Sequence, residues 1–366
     1  MQTIIVNATA LVSGGALSIL RQFIENTDNN IYHIFVSKAV DLDCAILSSS
    51  NVNFWFIPPH NALMRIYWDF WGIKNFAEQH GIKYKTIVSL QNTTIASAAT
   101  KQIVYIHQGI PFHERKWSFF KKNERRYAFY KYIYPWFIFA NADENTEFVV
   151  QTEWMKTALI NKFHVRKEKV HNIKPDFIKW KLNCLYKKDN MSSSFDIFYP
   201  ATGEIFKNHK IIFYALNYLY ENEISINNVK VYLTFDESQY PHIIDLFEKY
   251  PHLKENIIFT GKLAYQKVTE LYERADLIIF PSQIESFGLP LLEAAYAGRK
   301  IIALSTPFAH EILKDYQGCC YIPDDGDEWG RALADAIIKP RQTYPSFNPN
   351  FSNGWEDFFK LINNEI

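Results

Sequence analysis

The chain has no excess of either charge. Its 39 lysines and arginines stand against 39 aspartates and glutamates, which leaves no global signal for nucleic acid or another polyanion as partner. It is also poor in cysteine. The four present, Cys44, Cys184, Cys319 and Cys320, show no paired zinc-ligand spacing. Adjacent cysteines such as the last two rarely bridge each other, so neither a zinc module nor a disulfide scaffold is expected, and a reducing compartment fits. No apolar run approaches the roughly 20 residues needed to cross a bilayer. The most apolar stretches, 132–140 and 277–281, fall well below that length, so any membrane contact is expected to be peripheral. Met1 leads directly into the apolar run 3–6 with no basic region and no small-residue cleavage site, so a secretory leader is not expected and the reading is cytoplasmic. No internal repeat of about 20–50 residues suggests a solenoid or a propeller.

What is present is material for packed cores. Hydrophobic residues make up 48% of the 366 positions and charged residues 21%, which excludes disordered and fibrous classes. The length suits two α/β domains rather than one core. In the first half, short apolar runs at 3–6, 31–36, 52–57, 86–89, 103–107 and 148–151 read as buried parallel strands. Helical patterns near 16–24, 63–79, 119–139 and 153–162 alternate with them, a rhythm that predicts a doubly wound sheet. The Lys-, Asn- and Ser-rich stretch 174–194 breaks the rhythm and marks the expected boundary. Strands are then expected at 196–199, 229–233, 257–260, 277–280, 300–303 and 320–322, with helices near 209–220, 240–250, 265–274, 289–297 and 328–338. The expected domains are 1–178 and 195–340, with a last helix in 352–366 packing back on the first.

The segment Phe280-Pro-Ser-Gln-Ile-Glu-Ser-Phe-Gly-Leu-Pro-Leu-Leu-Glu-Ala-Ala is a strand end, a loop and the start of a helix. Ligands of α/β sheets bind at such strand ends. Gly288 lets the backbone approach a ligand closely, Pro290 suits a first helical turn, and the free N–H groups there point at an arriving anion such as a pyrophosphate. Glu285 lies in the loop and Glu293 about one turn into the helix, so both can face the same ligand without touching phosphate. Carboxylates accept hydrogen bonds from hydroxyl groups, so one suits a sugar ring and the other a ribose.

This segment resembles the E-x7-E signature of retaining glycosyltransferases of family 4, with the Glu-x-Phe-Gly-Leu-Pro core intact, and the likeness extends through most of the second half. The resemblance implies a GT-B fold, two Rossmann-like domains facing each other across a cleft. It implies that Glu285 contacts the donor sugar, that the backbone of Ser286, Phe287, Gly288 and Leu289 holds the diphosphate, and that Glu293 binds the ribose. It places a diphosphate-binding lysine at Lys207, inside Pro200-Ala-Thr-Gly-Glu-Ile-Phe-Lys-Asn-His-Lys. The family commonly carries an arginine just after that glycine, where this chain has Glu204, so Lys207 is left with Lys210 as the available cations. Gly14 and Gly15 resemble the family's glycine loop beside the donor phosphates, and His107 stands where a histidine often reaches the transferred sugar.

The activity implied is transfer of a sugar from a UDP- or GDP-linked donor to a saccharide acceptor, lipid-linked, with retention of anomeric configuration, in surface polysaccharide assembly such as O-antigen or capsule. No cofactor beyond this co-substrate and no metal are expected. Asp41-Leu-Asp43 has the DxD spacing of a different, metal-using glycosyltransferase fold, but it sits far along the chain from Glu285, and the two-domain fold relies on a helix dipole and a lysine instead. Residues 113–139 carry seven basic against two acidic side chains among many aromatics, a composition that suits either an anionic membrane at the inner face of the plasma membrane or an ordinary core helix with a basic face. The alternatives are an inverting transferase or a phosphorylase on the same fold, and a non-catalytic saccharide- or nucleotide-binding protein.

Overall fold

The computed structural model describes residues 1–42, 51–58, 62–97, 99–177, 180, 194–339, 341–349 and 354–365. Asp43, Cys44, Cys184 and most of 174–194 lie outside the described residues. The chain divides into two compact units, Met1–Asp176 with Phe351–Ile366, and Phe177–Asn350.

The first unit holds seven strands: β1 Thr3–Asn7, β2 Ile31–Ser37, β3 Val52–Ile57, β4 Thr86–Ser89, β5 Lys101–Ile106, β6 Thr146–Val150 and β7 Val170–Asn172. All pair in parallel in the order β3-β2-β1-β4-β5-β6-β7. Successive residues of β1 bury on opposite faces. Ile4 and Val6 join Phe23 of the helix Gly14–Glu25, whereas Ile5 joins Ile73 and Ala77 of the helix Ile73–Gln79. Helices on both faces explain why the strands read as continuous apolar runs rather than alternating ones. The helix Gly354–Asn363 completes the first of these faces with Trp355, Phe358, Phe359, Leu361 and Ile362.

The second unit holds β8 Phe195–Tyr199, β9 Val229–Leu233, β10 Ile257–Phe259, β11 Leu277–Phe280, β12 Ile301–Leu304 and β13 Cys319–Ile322, parallel in the order β10-β9-β8-β11-β12-β13. In each unit the winding reverses at one place, between β1 and β4 and between β8 and β11. Doubly wound sheets bind ligands at the carboxyl ends of the strands flanking such a reversal.

Two helical patterns depart from expectation. The continuous helix expected over 63–79 is α-helical at Ala62–Tyr67 and Ile73–Gln79 but π-helical at Trp68–Gly72. The one expected over 119–139 begins later, at a 3-10 turn Lys122–Glu124, and passes through a π-helical stretch Phe129–Ile133 before the α-helix Tyr134–Phe139. The short strand β7 and the short helix Pro307–Ile312 are additional to the expected elements.

Candidate functional site

In the second unit, the loops after β8 and β11 come from the two strands that flank the reversal. The β11 loop leads into the helix Leu289–Tyr296, whose N-cap is Gly288 at φ +104°, a conformation that side-chain-bearing residues rarely adopt. Phe287 is buried, so the Glu285–Gly288 turn is held by one apolar anchor while Glu285, Ser286 and Leu289 stay partly exposed. The β8 loop runs past Gly203, where a Cβ would come within 2.7 Å of the Gln239 carbonyl oxygen, so no larger residue fits. A 3-10 turn, Ile205–Lys207, then presents Lys207.

The two loops are stitched together. The Gln283 N–H donates to the Phe206 carbonyl (2.8 Å), while Asn208 Nδ2 and Gln283 Nε2 donate to the two oxygens of Asp324 (2.9 and 2.7 Å). Tyr199 Oη donates to the Lys207 carbonyl at 2.9 Å. On this frame Lys207 Nζ meets Glu285 Oε1 at 2.5 Å, with side-chain exposures of 16% and 14%. A lysine expected to hold a diphosphate and a glutamate expected to hold a sugar are thus ion-paired with one another. Under the loop, His209 is packed against Tyr199 and Phe235, and its Nε2 donates to the Thr202 carbonyl (2.8 Å). Burial pushes its pKa down to about 3, so the imidazole is a neutral brace.

Glu293 lies apart from this pair in character. Burial raises its pKa, and the Tyr272 hydroxyl, which donates to Oε2 at 2.8 Å, pulls the other way. Tyr272 itself is fully buried beneath Trp180, which stacks on it with centroids 6.0 Å apart. Neither Tyr272 nor His209 was singled out by motif. Both act through tertiary contacts, Tyr272 from 21 residues upstream of Glu293, and no local spacing announces such a pairing.

In the first unit, Gly14 and Gly15 are exposed and open the helix Gly14–Glu25 rather than forming a separate loop before it. Gly14 has φ +60°, and at both positions nothing lies within 4 Å of where a Cβ would stand. His107 follows the end of β5, which stops at Ile106. Its backbone N–H donates to Asn92 Oδ1 (2.7 Å), and Nε2 lies 3.1 Å from the Leu90 carbonyl and 3.2 Å from Asn92 Nδ2. Desolvation lowers the pKa to about 4, leaving a neutral ring. His107 lines a cavity of about 170 Å³ together with Arg65, Asn92, Gln108 and Tyr130. Among the described residues no group of His, Cys, Asp or Glu has the geometry to hold a metal ion, and Asp43 of the DxD pair lies outside them.

Residues 189–350 match the family model described as Glycosyl transferases group 1. That stretch is similar to the group 1 glycosyl transferases. It contains Lys207, Glu285 and Glu293, and its described part lies wholly within the second unit. Over 82 residues the chain is 32% identical to the O-antigen chain mannosyltransferase RfbU of Salmonella typhimurium, covering 22% of this chain and 23% of the relative. Over 111 residues it is 30% identical to the alpha-monoglucosyldiacylglycerol synthase of Streptococcus pneumoniae, covering 30% and 24%. The chain therefore spans about a quarter of the length of these curated relatives. Among solved structures it resembles WaaG, a glycosyltransferase involved in lipopolysaccharide biosynthesis, with a TM-score of 0.66 at 14% identity over 92% of this chain and 90% of that one. It also resembles Anabaena Alr3699/HepE, solved with UDP and glucose, with a TM-score of 0.62 at 15% identity over 99% and 95%. The fold of both units is thereby that of the GT-B glycosyltransferases, each a parallel Rossmann-like sheet.

Proposed function

We propose that the protein is a retaining glycosyltransferase of family 4 that moves a sugar from a UDP- or GDP-linked donor to a saccharide acceptor in surface polysaccharide assembly of the O-antigen type. The observation that carries the reading is the Lys207–Glu285 contact at the β8–β11 reversal, directly before a glycine-capped helix of the stretch similar to the group 1 glycosyl transferases. A cation and a helix N-terminus beside one another suit a diphosphate, and the adjoining carboxylate suits sugar hydroxyls. The relatives named for O-antigen mannosyl transfer and for lipopolysaccharide biosynthesis support the setting.

In this mechanism the bond between the anomeric carbon and the diphosphate breaks while the acceptor oxygen bonds to that carbon on the same face. The departing diphosphate takes the acceptor's proton. Lys207 and the amides of Ser286, Phe287, Gly288 and Leu289 stabilise charge growing on the leaving group, Glu285 and His107 orient the sugar, and Glu293 holds the ribose. No metal takes part. His107, neutral, orients the sugar by hydrogen bonding and not as a cation.

Exposed aromatics support a lipid-linked acceptor met at an anionic membrane. Phe120 is 95% and Trp136 60% exposed, and Lys121, Lys122, Arg125 and Arg126 are exposed as well. A basic surface studded with protruding aromatic rings has the character of an interfacial anchor rather than of a core helix with a polar back.

The test is a panel of UDP- and GDP-sugars with EDTA present, comparing wild type with Lys207→Ala and Glu293→Ala, with the product anomer read by NMR. Turnover in EDTA, a retained anomer, and a loss of about a hundredfold or more in kcat for Lys207→Ala at unchanged melting temperature are expected. Nucleotide binding without turnover would favour a non-catalytic binding protein, and an inverted product would overturn the mechanism.

A further inference from the structure

The first unit holds a larger cavity, about 440 Å³, at its own reversal point between β1 and β4. Thr9 and Ala10 after β1, Thr93 after β4, Asp69 and Arg65 line its polar side, while Phe129 and Phe137 line an aromatic wall. Both helices that border it become π-helical there, at Trp68–Gly72 and at Phe129–Ile133. Such turns are rare and tend to sit at functional sites. Phe70 of one stretch stacks on Trp136 beyond the other, with centroids 5.7 Å apart, so the two walls brace each other.

Arg65 spends only part of its hydrogen-bonding capacity on the fold. Its Nη2 donates to the Gln91 carbonyl (2.8 Å) and to Tyr134 Oη (3.1 Å). Among the described residues, Nε and Nη1 make no hydrogen bond and no carboxylate lies within ion-pairing distance. Asp69, the carboxylate of the same lining, has both of its oxygens engaged by other side chains. Its Oδ1 accepts from Asn7 and Gln91 and its Oδ2 from Thr93, at 2.8–2.9 Å. Burial disfavours the Arg65 charge, but Tyr134, Asp69 and Tyr130 outweigh it, so the guanidinium stays positive. A desolvated guanidinium with three N–H bonds uncommitted among the described residues, in the lining of a cavity walled by aromatic rings, is built for a ligand that is anionic at one end and apolar or ring-shaped at the other.

We propose that this cavity binds an oxyanion, a phosphate or a carboxylate, carried by the acceptor, with the Arg65 fork on the anion and the aromatic wall against the adjoining lipid or sugar ring. The assignment to the acceptor rests on the transferase reading above; the anion site itself does not. The phosphate of a lipid carrier and the carboxylate of an acidic sugar share this chemistry, and matched probes separate them.

The full chain is titrated calorimetrically with farnesyl phosphate against farnesol, with glucuronic acid against glucose, and in parallel with UDP and GDP. Wild type is expected to bind one anionic probe about tenfold or more tighter than its neutral partner, the scale of one charge-assisted hydrogen-bonded contact. Which pair shows the preference identifies the source. Arg65→Gln is expected to erase that preference while leaving nucleotide binding unchanged, and Arg65→Lys, which keeps charge but loses the fork, to retain only part of it. Equal binding of anionic and neutral probes by wild type would overturn the proposal without recourse to a variant, as would an Arg65→Gln protein that keeps the preference. Absence of nucleotide binding by wild type would instead overturn the transferase reading, and an anion preference seen alongside it would still support the cavity as an oxyanion site.

Discussion

Glu285 and Glu293 carry the same side chain into unlike surroundings. Glu285 neutralises Lys207 at 2.5 Å, so an arriving diphosphate must compete for the lysine with a carboxylate already in place. Replacing Glu285 with Gln should therefore let UDP or GDP bind a few-fold tighter while sugar transfer falls by about a hundredfold, a divergence of affinity and kcat readable by calorimetry and steady-state kinetics. Glu293 depends on the Tyr272 hydroxyl to offset its burial. Tyr272→Phe removes that donor, and the expected outcome is about tenfold weaker nucleotide binding, with the loss greatest at low pH where the carboxyl protonates first. His209 sets a third expectation. Its pKa is lowered from 6.5 to about 3, so between those values the unfolded chain binds the proton and the folded one does not. Stability then rises with pH across that window and is fully present above about 6.5, His107 adding to the same slope down to about 4. Urea unfolding at about pH 7.5 and about pH 5 should show a lower free energy at the acid value, with His209→Asn giving a flatter dependence.

At the scale of elements, the loops after β8 and β11 derive their shape from two glycines. Gly288→Ala keeps the nearest contact tolerable, 3.3 Å to Ile312 Cδ1, but holds a Cβ-bearing residue at φ +104°. The expected cost is about 1–3 kcal/mol, seen as a lower melting temperature together with weaker nucleotide binding. The strands were legible in the sequence because sheets buried on both faces demand continuous apolar runs, as at β1 and β11. The placement of Glu285 in a loop and Glu293 in the helix after it was legible because one loop and one helical turn fix their spacing locally. The π-helical stretches were not legible, since one inserted residue barely disturbs a 3.6-residue pattern. Arg65 and Asp69 are neighbours on one helical pattern, but Thr93 and Tyr134 meet them only through the sheet order, and nothing in the sequence near the pair points to those two. The helix Pro307–Ile312 and the strand β7 are too short to build a period of their own.

Across the whole molecule, the chain leaves the first unit at Asp176 and re-enters it at Phe351. The returning helix supplies Trp355, Phe358, Phe359, Leu361 and Ile362 to the core around Phe23 and Tyr32, and Trp355 Nε1 donates to Gln22 Oε1 at 2.8 Å. Five large apolar side chains at about 1.5–3 kcal/mol each amount to roughly 10 kcal/mol, the size of a domain's entire stability. A chain ending at residue 350 should consequently lose the first unit's cooperative unfolding transition and become protease-sensitive between residues 1 and 176, as limited proteolysis with mass spectrometry would read out. On the surface of the same unit, flotation with phosphatidylglycerol-containing vesicles but not with phosphatidylcholine alone is expected, and should be lost in a Phe120→Ser, Lys121→Ser, Lys122→Ser triple variant.

The return of that last helix also sets an order of events during synthesis. A ribosome finishes the strands of the first unit long before it reaches Gly354, and residues 177–350 must be made in between. At typical elongation rates this is roughly 10 to 35 s. Throughout that interval the apolar face around Phe23 waits for a partner that has not been made, so the nascent chain carries an uncovered apolar surface with a built-in expiry. A translational pause within 177–350 would prolong that exposure, and a faster passage through it would shorten the time in which aggregation can begin.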